Sequence, residues 1–104
     1  MIFLRISSKS EKKIEAIAEL LLKEKLAMDL NIKRNIERLE LVGEKVISSY
    51  ITLITCKTKG LLFPYIDKRL NELYKDNLPE IYSLPIVHMD WEQAEKLTNE
   101  VKPA

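Results

Sequence analysis

A single cysteine, Cys56, leaves the chain without an internal disulfide, and a single histidine, His88, leaves it short of a zinc site of the usual His/Cys type. Two glycines and four prolines exclude collagen-like and low-complexity classes. No GxxxxGK[ST] loop, GxSxG, HExxH, CxxC, EF-hand or dinucleotide pattern occurs. Absent too is an excess of one charge: 17 Lys plus Arg stand against 16 Asp plus Glu, and a net charge of +1 supplies no field to hold a nucleic-acid backbone or an anionic membrane. No run approaches the roughly 18 apolar residues of a membrane span, and the apolar start, Met1 to Ile6, is too short for a signal h-region. What is present is 46% hydrophobic and 32% charged over 104 residues, enough for one core. The expectation is a single domain, 1–104, in the reducing cytoplasm.

Order within the chain says more than composition. Ile2, Phe3, Leu4 and Ile6 form a short apolar run that ends at serines, a strand. Ser8 with Glu11 reads as a capping box, and Ile14, Ile17, Ala18, Leu21 and Leu22 then trace one helical stripe, with Glu19 and Lys23 paired on the wet side. From Asp29 the period becomes alternating. Leu30 and Ile32 share one phase and Leu39 and Leu41 the other, so a bulge must reconcile them, and Asn35, tolerant of a left-handed backbone, is the place for it. Gly43-Glu44-Lys45 predicts a hairpin turn, and Val46 to Cys56, rich in β-branched residues, a central strand.

Phe63, Ile66, Leu70, Leu73 and Tyr74 recur at helical spacing, with Pro64 confined to the first turn and Lys75-Asp76-Asn77 as the stop. Ile81 to Val87 predicts a further strand, and Pro85, which cannot donate to a ladder, puts it at an edge or a bulge. Asp90 with Gln93 caps a last helix whose inner face is read as Trp91, Ala94, Thr98 and Val101. The order β-α-β-β-α-β plus a C-terminal helix is that of an α+β, ferredoxin-like sandwich: an antiparallel sheet with both main helices on one face. The other face then lacks helical cover, which points to a ligand platform or an oligomer interface.

Several strings carry a further signal: Leu26-Ala27 followed by Asn31-Ile32, Lys57-Thr58 with Leu62-Phe63, and Leu78-Pro79-Glu80-Ile81 with Leu84-Pro85-Ile86. In order and spacing, over almost the whole chain, they resemble the CutA family of divalent-cation tolerance proteins, small cytosolic trimers of ferredoxin-like fold. The resemblance implies a homotrimer joined by strand edges and by the long hairpin from Asn31 to Lys57. It also implies a non-catalytic role in divalent metal ion tolerance through binding or signalling. The family's cysteine before the strand-two asparagine is Asp29 here, its aromatic pair near the hairpin is Leu41-Val42, and its His-Pro pair is Tyr74-Lys75. Without those ligands only weak copper binding is expected, since Cu(I) prefers sulfur. The competing reading is a trimeric sensor of a small molecule or anion, similar to the nitrogen-regulatory PII proteins.

Asn31, Lys57, Thr58 and Glu80 are the candidate ligand-binding residues, polar groups at strand ends or a helix start within apolar elements, where they serve a cleft between subunits. Lys57, Thr58 and Lys59 also precede a helix N-terminus able to face a small anion, or simply a capped helix with solvated lysines. His88, Met89 and Asp90 place imidazole, thioether and carboxylate side by side. The simpler reading is a helix cap flanked by loop and packing residues, because first-row metals need three or four convergent ligands. Cys56 has no partner histidine, and alternation points it away from Lys57, so it reads as structural. RNA recognition is the weakest alternative, since the strands lack an aromatic stacking platform.

Overall fold

Leu4 and Ile6 are fully buried in β1 (Ile2–Ser8), a strand hydrogen-bonded on both sides within a four-stranded antiparallel sheet. In the computed structural model, which describes residues 1–104, the order continues with α1 (Glu11–Lys23), β2 (Met28–Val42), β3 (Lys45–Thr58), a 3-10 turn (Gly60–Leu62), α2 (Phe63–Leu73), β4 (Glu80–Pro85) and α3 (Trp91–Glu100). The sheet order is β2-β3-β1-β4. This is the expected ferredoxin-like sandwich, with β2 and β4 as edges and Pro85 closing the latter.

Ser10, not Ser8, caps α1: its Oγ accepts the Lys13 N–H at 3.2 Å, while Ser8 Oγ accepts the N–H of Ser10 at 3.1 Å. The reason is that β1 still pairs at Ser8, opposite Thr52, so the helix cannot start until the ladder has ended. Ile14, Ile17, Ala18 and Leu21 are buried as expected, but Leu22, 51% exposed, has rotated off the stripe. The helix ends with Lys25 left-handed (φ 55°); the Lys25 N–H donates to the Leu22 carbonyl at 3.1 Å and the Leu26 N–H to that of Leu21 at 2.8 Å. This closing motif usually takes glycine.

The bulge lies where the phase change put it. Asn35 has φ 56°, and the β2–β3 register slips between Lys33 and Ile36. A second irregularity, between Met28 and Asn31, centres on Asp29 at φ 50° and has no counterpart in the sequence pattern. Gly43, φ 64°, makes the tight turn that sets Val42 opposite Lys45. Because side chains alternate along a strand, Thr52, Ile54, Cys56 and Thr58 of β3 face the helices, and Ile51, Leu53, Thr55 and Lys57 face the other way. Ile54 and Cys56 join Leu4, Ile6 and residues of all three helices in one buried cluster; Ile51 and Leu53 lie outside it. Beyond Ile36 the β2–β3 hairpin runs on as a two-stranded arm, and the molecule reaches 48 Å along its long axis.

Pro64 stands in the first turn of α2, and Ile66 and Leu70 enter the core, whereas Leu73 is 48% exposed. Asp90 caps α3, accepting the Gln93 N–H at 2.9 Å. The inner face of α3 differs in part from the one predicted: Val101 is buried as expected, but Leu97 is its buried companion, while Trp91 is 90% exposed and Thr98 is outside. Residues four apart share a helix face, and Leu97 with Val101 has the larger apolar area to bury against Leu26 and its neighbours. The segment is tied down where Lys59 Nζ donates to the Val101 carbonyl at 2.9 Å and the Lys102 N–H to that of Lys25 at 2.8 Å.

Candidate functional site

Alternation along β3 separates two neighbours in sequence. Thr58 points among the helices, fully buried, and its hydroxyl donates to the Leu26 carbonyl at 2.5 Å. Lys57 points to the open face, where its Nζ lies 3.3 Å from Asp29 Oδ2 and also donates to Gln93 Oε1. Asn31, exposed and opposite Thr55, stands on that same face and donates from Nδ2 to the Asp29 carbonyl at 3.2 Å. Glu80 is elsewhere. Phe3 pairs with Lys57 and Ser7 with Glu80, so four residues of β1, about 13 Å of strand, separate them. Within one chain the four expected residues therefore fall into two clusters and one buried structural position.

The first cluster is organised by Asp29, whose carboxylate takes Lys57 on one oxygen and Lys96 of α3 on the other at 2.8 Å. The Lys96 ammonium, seconded by Lys57, holds the Asp29 carboxyl below the usual carboxylate range, against the upward pull of partial burial. Since the folded-state pKa lies below the unfolded 3.8, the stabilisation is present above the unfolded value and is lost as pH falls through the folded one. Asp29→Asn, which keeps a residue tolerant of positive φ, is expected to be less stable than wild type at neutral pH and to converge with it in urea titrations as pH falls through the lowered folded-state pKa. A gap that stays constant with pH would assign the loss to packing instead.

The second cluster lies at the other end of the open face, in a cleft of about 390 Å³ whose lining includes Ser7, Ser8, Ser10, Arg38, Asn77 and Glu80. Glu80 accepts from Arg38 Nη1 at 2.9 Å and from Ser7 Oγ at 3.3 Å. Hydroxyls, a guanidinium and a carboxylate here give donors and acceptors to a small polar ligand, but no nucleophile with a base. Arg38 and Ser7 were not among the expected residues; the alternation of β1 and the bulge at Asn35 together predict that both share a face with Glu80, which is the signal that finds them.

Nowhere do three or more His, Cys, Asp or Glu side chains converge in a way that would hold a metal ion. His88 is exposed, Met89 half-buried, and Asp90 is engaged as a cap, its carboxyl held low by the Gln93 backbone N–H. Cys56 is fully buried on the helix side, and burial pushes its thiol up to about 12. The thiolate is the reactive form. Cys56 is therefore expected to resist a disulfide reagent in the native protein and to react at once in denaturant; fast native labelling would contradict this burial.

The family model described as "CutA1 divalent ion tolerance protein" matches residues 2–100. The "Divalent-cation tolerance protein CutA" of Thermus thermophilus is 30% identical over 91 residues, covering 83% of this chain and 88% of that protein. The solved structure of "Divalent cation tolerance protein (Cut A1)" from the same organism superposes with a TM-score of 0.83 at 27% identity, covering 98% of this chain and all of that one (100%). The CutA1 structure from Oryza sativa superposes at 0.85 with 23% identity, over 99% and 94% of the two chains, a likeness of fold.

Proposed function

Since the chain belongs to the CutA1 divalent ion tolerance family, we propose that it acts in divalent metal ion tolerance as a non-catalytic, cytoplasmic homotrimer, through binding or signalling. The observation that carries this reading is the arm. Leu39, Leu41, Val46 and Tyr50 are 63, 71, 69 and 60% exposed, and across the hairpin Leu41 pairs with Val46. A two-stranded ribbon with large apolar side chains in water is unstable by itself and calls for a neighbour. The edges β2 and β4 also carry unpaired backbone groups, and closing a ring edge to edge removes them. Such a ring sets β2 of one copy beside β4 of the next. Asn31 and Lys57 beside the β2 edge and Glu80 on the β4 edge then both lie at subunit boundaries, where we propose the ligand binds, with Thr58 bracing Lys57 from the core side.

Sedimentation at micromolar protein is expected to give a trimer mass, and a stable monomer would remove the reading. A thermal-shift series with divalent metals, nucleotides and oxyanions then tests the ligand, because a molecule that binds only the folded state raises the melting temperature. Divalent metals are expected to raise it, and Cu(I) to bind weakly, the one thiol being buried. One observation favours a second reading, a PII-like sensor: the cleft beside Ser7, Ser8 and Ser10, at the start of α1 with Arg38 across it, suits a small anion. A shift with oxyanions or nucleotides and none with metals would decide for that sensor.

A further inference from the structure

Two buried side-chain polar atoms lack any hydrogen-bond partner, Arg5 Nε and Ser49 Oγ, and both residues belong to the open face of the sheet. Arg5 sits in the middle of β1, opposite Thr55 and Tyr82, with its guanidinium 5.5 Å from the centroid of the Tyr82 ring. It has no carboxylate partner, although other cations of this face do: Arg38 holds Glu80 at 2.9 Å and Lys57 holds Asp29 at 3.3 Å. Lys33, also unpaired, is exposed and hydrated; Arg5 is half-buried. A guanidinium withdrawn from water with a donor unmet is costly, and its planar fork is matched by a carboxylate.

The arm supplies the complement. Glu40 shares the open-face side with Arg38, makes no ion pair or hydrogen bond, and is rimmed by Ile47 and Val42, which are 46 and 58% exposed. It cannot serve its own Arg5: Glu40 pairs with Ile47 and Arg5 with Thr55, eight residues or about 26 Å apart along β3. We propose that Glu40 of one copy docks on Arg5 of the next, so that each subunit's arm completes the open face of its neighbour. The pairing rests on the homotrimer reading and adds a register to it, because a head-to-tail contact uses arm and face once per copy and closes as a ring.

Charge reversal tests it. Arg5→Glu or Glu40→Arg alone is expected to weaken self-association about a hundredfold or more in sedimentation equilibrium, and the two together in one chain to recover most of that loss. Should Arg5→Glu not fold, Arg5→Gln and Glu40→Gln form a milder cycle, expected to couple by at least about tenfold. A wild-type trimer whose variants are additive, or unchanged, overturns the pairing while leaving the trimer standing; a wild-type monomer sinks the trimer reading itself. If Arg5→Gln abolishes a sulfate-induced thermal shift while Glu40→Gln leaves assembly intact, a free anion occupies Arg5 and the pairing is wrong.

Discussion

A variant carrying Leu39→Lys and Leu41→Lys is expected to be a folded monomer. Both side chains lie on the arm beyond the reach of the helices, 63 and 71% exposed, and neither belongs to the buried cluster, so the fold has little to lose. Assembly has much to lose. Burying a leucine is worth about 1.5–3 kcal/mol, so two per subunit amount to roughly 3–6 kcal/mol, more than a hundredfold in each contact before the cost of desolvating two ammonium groups is added. Sedimentation should show the monomer mass with the helical circular dichroism signal retained, and Glu44→Lys in the exposed turn should leave the assembly as it was. A persisting trimer would mean that the arm does not join the copies.

In that monomeric background, Leu97→Ala should lower the unfolding free energy by about 2–5 kcal/mol, the usual range for truncating a buried leucine. Trp91→Ala should change it by less than about 0.5 kcal/mol, because a side chain with so little buried area has little packing to forfeit. Leu97 is 2% exposed and Trp91 90%. Urea titration resolves the difference, and a large loss in Trp91→Ala would show that the indole, and not Leu97, anchors α3 as its position in the predicted stripe implied.

Much of the fold was legible in the sequence because several of its signals admit one physical answer. Pro64 tolerates only a first turn, Pro85 only an edge or a bulge, Gly43 suits a left-handed turn, and the clash of phase between Ile32 and Leu39 requires an extra residue, which Asn35 accommodates. Errors arose where two residues offered the same chemistry. Ser8 and Ser10 both make good caps, and only the length of the β1 ladder, a tertiary matter, chooses between them. On α3, Trp91 outweighs Leu97 in hydrophobic content, yet packing geometry decides which face turns inward. Of the candidate site, Asn31 and Lys57 do share a face, while Thr58 sinks into the core because its parity along β3 was not followed past Cys56. Asp29 as a double acceptor was not legible at all: Lys57 and Lys96 converge on it from β3 and α3, and no local pattern records that meeting.

The tight turn at Gly43 also fixes an order of events. With Val42 set against Lys45, the arm zips from its tip through contacts close in the chain, on the microsecond scale of hairpins. Ile2 must instead find Thr58, and the sheet is finished only when β4 returns to β1. Those distant pairings govern the rate of folding. Through that interval Leu39, Leu41 and Val46 are displayed on a ribbon that forms and frays with no rightful neighbour yet to hold it, which is when a chain is most open to joining the wrong one. Dilute refolding should therefore recover more protein than concentrated refolding, even though the finished assembly gains from concentration.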